Sequence, residues 1–491
     1  MLTKIRTLVE DLNKSGVRYC HWKSNFALAQ TVSGQTDIDL LVHRQDANLF
    51  RAILSRLYFK PAVTTDGEHF PSVEHYFALD EESGTLAHVH AYYRVITGES
   101  LVKNYRLPIE EMLLQTTREI DSVRVPPKSA ELIVFTLRMM LKHTSLVELV
   151  MLARYWRLVG QEIKWLMETD SIDETLKFVD RWLPPLDTEL FSDCVAALQF
   201  PLSLFRRIIL GHRLRSQLRP YARHSTIRAW LGGVQKFMVM LFRRLTRFRR
   251  GMVPGGGGAL IAFVGSEATG KSTLLAEMRD WLGEHFAVEQ IHAGKPKATF
   301  LSFLPNLFLP ALRAMLPTSR STHLESQYAS KKQSEKSCRD YSLIFGVRSA
   351  LLAYDRRTLL SRAFGRAANG TVVLCDRYPS SLNGAPDSPQ LSHFPVTPNR
   401  YSVRRLLAQI EARLYRDVPP PDLVIYLSAP LEVTVSRNAA RCKKEPEDYV
   451  RWRHARSSNL EFEKTSVHKI NTNQPLDQTV LEVKKAIWNI L

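Results

Sequence analysis

The chain has 491 residues, 45% of them hydrophobic and 24% charged, which is ordinary globular composition. That excludes a wholly disordered, collagen-like or small disulfide-stapled protein, and the length predicts two to four domains. Lys and Arg number 67 against 49 Asp and Glu, and the net charge of +18 points to an anionic partner: nucleotide, nucleic acid or membrane surface.

The first segment with chemistry is Gly34-Gln-Thr-Asp37-Ile-Asp39-Leu-Leu-Val42, a turn into an apolar strand. Asp37 and Asp39 are two apart and share a strand face. Two carboxylates aimed together suit a divalent metal, as in two-metal phosphoryl or nucleotidyl transfer. Two Asp at the start of a strand are the plainer alternative. Upstream lies a second polar cluster, Tyr19-Cys-His-Trp-Lys23-Ser24-Asn25, and downstream a strand, Leu86-Ala-His88-Val-His90-Ala-Tyr-Tyr93.

With TDIDLLV as its main carrier, the stretch 1–125 resembles the nucleotidyltransferase superfamily. The resemblance implies an α+β domain and a Gly-Ser pair opening a helix before the strand, roughly where Lys23-Ser24 stands. It also implies a third carboxylate on a later strand. There the chain offers His88 and His90, on one face, which can ligate metal, act as base or be structural. A binding domain without catalysis is the alternative.

Residues 126–200 form a helical extension, with helices predicted over Ala130 to His143, Leu146 to Met167 and Ile172 to Trp182. No chemistry is evident there.

Residues 201–250 carry thirteen Lys or Arg and no Asp or Glu, leaving the rest of the chain at only +5. Ile227, Trp230, Leu231, Val234, Met238, Leu241, Leu245 and Phe248 recur at steps of three or four. Lys236, Arg243, Arg244 and Arg247 fall largely between them. One reading is a basic amphipathic helix on an anionic membrane, and the other a packed helix with a solvated basic face. Nucleic acid is the weaker partner, since few aromatics interleave with the charges and no base-reading module is evident. Gly255 to Gly258 then form a linker that no helix or strand holds economically, so 201–258 closes the N-terminal half.

Leu260-Ile-Ala-Phe-Val264 reads as a buried parallel strand. It runs into Gly265-Ser266-Glu267-Ala268-Thr269-Gly270-Lys271-Ser272-Thr273, a full GxxxxGK[ST] match, and then a helical pattern to Leu282. The glycines aim backbone N–H groups inward at a helix N-terminus. Lys271 reaches the β- and γ-phosphates of ATP, and the Ser272 hydroxyl ligates Mg2+. A second strand, Thr371 to Cys375, ends in Asp376-Arg377-Tyr378-Pro379. A carboxylate at that strand end is placed to hold Mg2+, and the Arg beside it to grip a second phosphate. A third strand, Leu423 to Leu427, follows Pro419-Pro-Pro-Asp422. Leu431 to Arg441 reads as a helix with Arg437 and Arg441 on one face, followed by Lys443 and Lys444. That cluster is read as closing over the transferring phosphoryl group, or else as a solvated basic turn.

On GSEATGKST, CDRYPSS, PDLVIYLSAP and SRNAARCKK, the stretch 259–491 resembles the thymidylate kinases, within the P-loop nucleoside monophosphate kinases. The resemblance implies an α/β domain with a parallel sheet flanked by helices. It makes Glu267 the acidic loop residue of the bacterial type, whose lid, here Arg437 and Arg441, supplies arginines that the loop lacks. It places Arg377 and Tyr378 on the acceptor and Arg356 facing the base. After DRYPSS, however, the chain continues Leu-Asn-Gly-Ala-Pro-Asp, without the family's Ala-Tyr-Gln run, and Ala293 to Ser337 is long and basic.

The expectation is therefore ATP- and Mg2+-dependent phosphoryl transfer to a nucleoside monophosphate, dTMP-like first, with a homodimer implied by the resemblance. The alternatives are a regulatory ATPase with a ligand-sensing N-terminal domain, and nucleotidyl transfer as the main activity. Five scattered cysteines without a CxxC pair fit a reducing compartment. With no signal-peptide core and no long apolar run, the expected location is cytoplasmic, or peripheral at the inner membrane face.

Overall fold

The chain is known from a computed structural model, which describes residues 1–64, 70, 72–99, 102–142, 146–168, 172–199, 204–245, 251–299, 343–382, 384–393, 403–441 and 445–491. Lys443, Lys444, residues 246–250 and most of the stretch 293–337 lie outside the described residues. The chain divides into two compact units, Met1–Arg249 and Arg250–Leu491.

The first unit is α+β. Helix α1 (Thr3–Lys14) buries Ile5, Leu8, Val9 and Leu12, the three-and-four spacing of an apolar helix stripe. Strand β1 (Tyr19–His21) pairs antiparallel with β2 (Ile38–Val42). Beyond β2 lie β5 (Leu86–Tyr92), β4 (Val73–Leu79) and β3 (Lys60–Thr64), in that order; only the β2–β5 pair is parallel. Ile38, Leu40 and Val42 pack on one sheet face with α1 and with α2 (Ala47–Arg56). Leu41 and Tyr92 point to the other face and join a larger core. That core is built with Lys128–Lys142, Leu146–Met167, Ile172–Trp182, Thr188–Gln199 and Leu204–Gln217, here α3 to α7. Helix α8 (Thr226–Leu245) follows.

The second unit is α/β. Five of its described strands, β6 (Leu260–Gly265), β7 (Val288–His292), β8 (Val372–Asp376), β9 (Leu423–Ser428) and β10 (Ser466–Asn471), form one sheet in the order β7-β8-β6-β9-β10. Every pairing is parallel. Leu260 through Phe263 and Val372 through Cys375 are fully buried on both faces, which is why these strands read as unbroken apolar runs. Helices α9 (Lys271–Gly283), α10 (Leu343–Ala368) and α14 (Leu476–Ile490) contact the sheet. Further helices among the described residues are α11 (Val403–Arg416), α12 (Leu431–Ala439) and α13 (Glu447–Ser457). In an open parallel sheet the carboxyl ends of the strands face the ligand crevice. Here those ends carry Gly265, His292 and Asp376.

Candidate functional site

The loop between β6 and α9 is held by backbone geometry that few residues other than glycine adopt. Gly265 has φ +143°, and a Cβ there would stand 2.3 Å from the Leu427 carbonyl oxygen. Gly270 and Ala268 are left-handed as well, at φ 88° and 60°. The buried Thr269 hydroxyl donates to the Ser266 carbonyl at 2.9 Å and closes the turn. The loop ends at the N-terminus of α9, whose first N–H groups have no partner within the helix. Lys271 is buried there, and its ammonium donates to the carbonyls of Gly265, at 3.1 Å, and Ser266, at 2.5 Å. Burial draws its pKa down to about 8, against the pull of Glu267. Ser272 and Thr273 are exposed. Strand, glycine-rich loop and helix thus form a P-loop.

At the loop, Glu267 joins a charge network with Arg377, Arg453 and Asp387. Arg377 Nη2 lies 2.7 Å from Glu267 Oε1, and its Nη1 lies 3.3 Å from Asp387 Oδ2. Arg453 spans the same two carboxylates, 3.2 Å from Glu267 and 3.0 Å from Asp387. Burial opposes ionisation of Glu267, but Arg377 and Lys271 outweigh it and hold the carboxyl below its usual range; Arg441 adds to the effect. Arg377 and Asp387 are both left-handed, at φ 69° and 65°, a backbone conformation that costs energy for residues other than glycine. Beside the network opens a cavity of about 490 Å3 lined by Glu267, His292, Arg348, Arg377, Trp452 and Arg453, among others.

The remaining expected residues fall unevenly around this centre. Arg356 borders the cavity, but four N–H directions of its guanidinium are spent on the Ala293 and Asp387 carbonyls, the Tyr415 hydroxyl and the Asp387 carboxylate. It braces the cavity wall rather than presenting a free edge to a base. Tyr378 turns away, its hydroxyl donating to the Pro419 carbonyl. Arg437 is tied to Thr472, through its carbonyl at 2.9 Å and its hydroxyl at 3.3 Å. Asp376 ends β8 with its Oδ1 buried and without a hydrogen-bond partner among the described residues. An orphaned carboxylate oxygen at the strand end, close enough to the P-loop to act on the Lys271 ammonium, together with that loop's exposed Ser272 hydroxyl, is a donor set that fits Mg2+. Asp387 and Arg453 were not anticipated. Asp387 sits in the segment that departs from the family pattern, and Arg453 on a helix beyond the expected lid.

In the first unit, Asp37 and Asp39 do share a sheet face with His88 and His90. Asp39 lies 2.8 Å from the Lys23 ammonium and 3.1 Å from His90 Nδ1. Burial alone would raise its pKa, yet Lys23 and His90 hold it far below the carboxylate range. Asp37 contacts His88 Nδ1 at 2.6 Å, and His88 Nε2 in turn meets His75 Nδ1 at 3.1 Å. Among the described residues no group of three or more His, Cys, Asp or Glu is placed to hold a metal ion. In this arrangement Lys23 and His90 engage Asp39, and His88 engages Asp37.

No protein-family model matches the chain. An uncharacterised ATP-binding protein of Escherichia coli K12, YghR, is 24% identical over 241 residues, which is 48% of this chain and 87% of that protein. The corresponding protein of strain CFT073 matches to the same extent. Among solved structures, a deoxyadenosine kinase from M. mycoides with bound dATP covers 46% of this chain and 97% of its own, at 14% identity and TM-score 0.27. A sugar kinase from Janibacter sp. covers 47% and 94%, at 14% identity and TM-score 0.24. Scores of this size carry no functional argument.

Proposed function

We propose that the second unit is an ATP-dependent phosphotransferase whose acceptor is a nucleoside monophosphate, with dTMP-like acceptors first. The observation that carries this reading is the opposition of two elements. A P-loop with a buried lysine faces a cavity whose wall holds two arginines against two carboxylates. A plain ATPase needs no second anion site. The E. coli relative's description as ATP-binding agrees with the donor half of the reading.

The chain's own groups account for the chemistry. Lys271 leaves the loop carbonyls for the β- and γ-phosphate oxygens, where its charge offsets that of the transferring group. The N–H groups opening α9 bind the same oxygens. Arg377 and Arg453 receive the acceptor phosphate, and Glu267 and Asp387 keep both guanidiniums aimed at the cavity. Mg2+, held by the Ser272 hydroxyl and Asp376, would neutralise further phosphate charge. The acceptor oxygen is already anionic near neutral pH, so no general base is required, and catalysis is positioning and charge neutralisation.

The test uses purified protein, Mg2+ and ATP labelled at the γ-phosphate, with a panel of nucleoside monophosphates and nucleosides. Label should move to one monophosphate, and Lys271→Ala should lower the rate by about 100-fold or more. Label appearing only as free phosphate would replace this reading with a regulatory ATPase.

A further inference from the structure

Helix α8 is amphipathic the wrong way round for a packed helix. Its inner side is small and polar: a Cβ on Gly233 would lie 3.6 Å from Val102 Cγ2. On the same side the Lys236 ammonium lies 5.2 Å from the centroid of the Phe70 ring, which Arg223 also approaches at 6.0 Å. Ile227, Trp230, Leu231, Val234, Met238 and Leu241 instead fall within roughly 100° of arc on an α-helix. All six are exposed; Ile227 is 72%, Trp230 66% and Met238 56% accessible. An isolated exposed leucine is unremarkable, but six large apolar side chains in one stripe mark an interaction surface.

Charge selects the occupant. The segment 201–250 carries thirteen basic residues and no acid, and five of the thirteen, Arg243, Arg244, Arg247, Arg249 and Arg250, cluster in its last eight residues. A second copy of the chain would bring two such segments together, so repulsion opposes self-association through this face. Nucleic acid would need basic groups at the centre of the exposed stripe, where the apolar residues stand. An anionic bilayer meets both requirements: the apolar stripe enters the acyl boundary while flanking Lys and Arg meet lipid phosphates. Trp230 near one end of the stripe suits the headgroup level. No helix among the described residues is long and apolar enough to cross a membrane, so the contact lies along the surface. We propose that α8 docks the protein in-plane on an anionic phospholipid membrane.

The experiment is co-flotation of the full-length protein with vesicles of phosphatidylcholine, with and without phosphatidylglycerol. Binding is expected to the anionic vesicles alone and to weaken as salt rises. Trp230→Gln with Met238→Gln should lower it about tenfold or more; these positions are exposed, so thermal unfolding should be unchanged. Should that pair disturb folding, Leu231→Gln with Leu241→Gln tests the same stripe. No flotation, flotation indifferent to these substitutions, self-association that they abolish without vesicle binding, or duplex DNA binding in place of vesicle binding would each overturn the proposal.

Discussion

Lys271 pays for its position. Burial draws its pKa from 10.5 to about 8, so the ammonium is charged below that pH and fades above it. A charged lysine grips phosphate and a neutral one does not. The expected outcome is that kcat/KM for ATP falls above about pH 8, since that ratio reports the free protein. In the complex the phosphates favour the charged form, so the limb in kcat should lie higher. Lys271→Arg, which stays charged, should remove the limb while lowering the rate; a limb unchanged in that variant would assign it to another group. Lys271 was legible because a P-loop is local: one contiguous stretch supplies turn, charge and helix start. Asp387 and Arg453 were not, because they meet Glu267 only through the fold, from positions 120 and 186 residues downstream. For Arg356 the sequence gives the helix and a place at the cavity, but not the partners that occupy its guanidinium.

At the scale of elements, the segment leaving β7 controls where Arg377 can go. A Cβ on Gly294 would stand 2.4 Å from Arg377 Cδ and 2.9 Å from His292 Cε1, closer than real contacts allow. Gly294→Ala should therefore displace Arg377, raising the acceptor's KM severalfold while leaving the KM for ATP nearly unchanged. Equal effects on both constants would deny Arg377 a place at the acceptor. The three strands expected at 260–264, 371–375 and 423–427 appear within one residue of their bounds, since a strand buried on both faces writes a continuous apolar run. The basic helix is also present, over Thr226–Leu245. Of the two arginines expected in the lid, Arg441 lies just past the end of α12 at Ala439 and acts on Glu267, while Arg437 bonds to Thr472.

Across the whole molecule, acid should act first on the Met1–Arg249 unit. Burial, reinforced by His90 and His88, lowers the pKa of His75 from 6.5 to about 3. The folded chain thus leaves His75 neutral where the unfolded chain protonates it. Its contribution to stability is present above pH 6.5 and is lost as pH falls toward 3. Asp37 and Asp39, held low by their neighbours, act in the same direction further down. Amide protection of β4 and β5, corrected for intrinsic exchange, should decline over that window, and His75→Phe should flatten the decline; an identical slope in the variant would remove His75 from the account. The order of strands in either sheet was not legible, because apolar runs name strands without naming neighbours. In the second unit Arg377 and Arg453 already rest against resident counter-ions, Glu267 and Asp387. On the proposed function, an acceptor phosphate would share these guanidiniums with the carboxylates that aim them, so its affinity would be set by two kinds of anion competing for the same arginines.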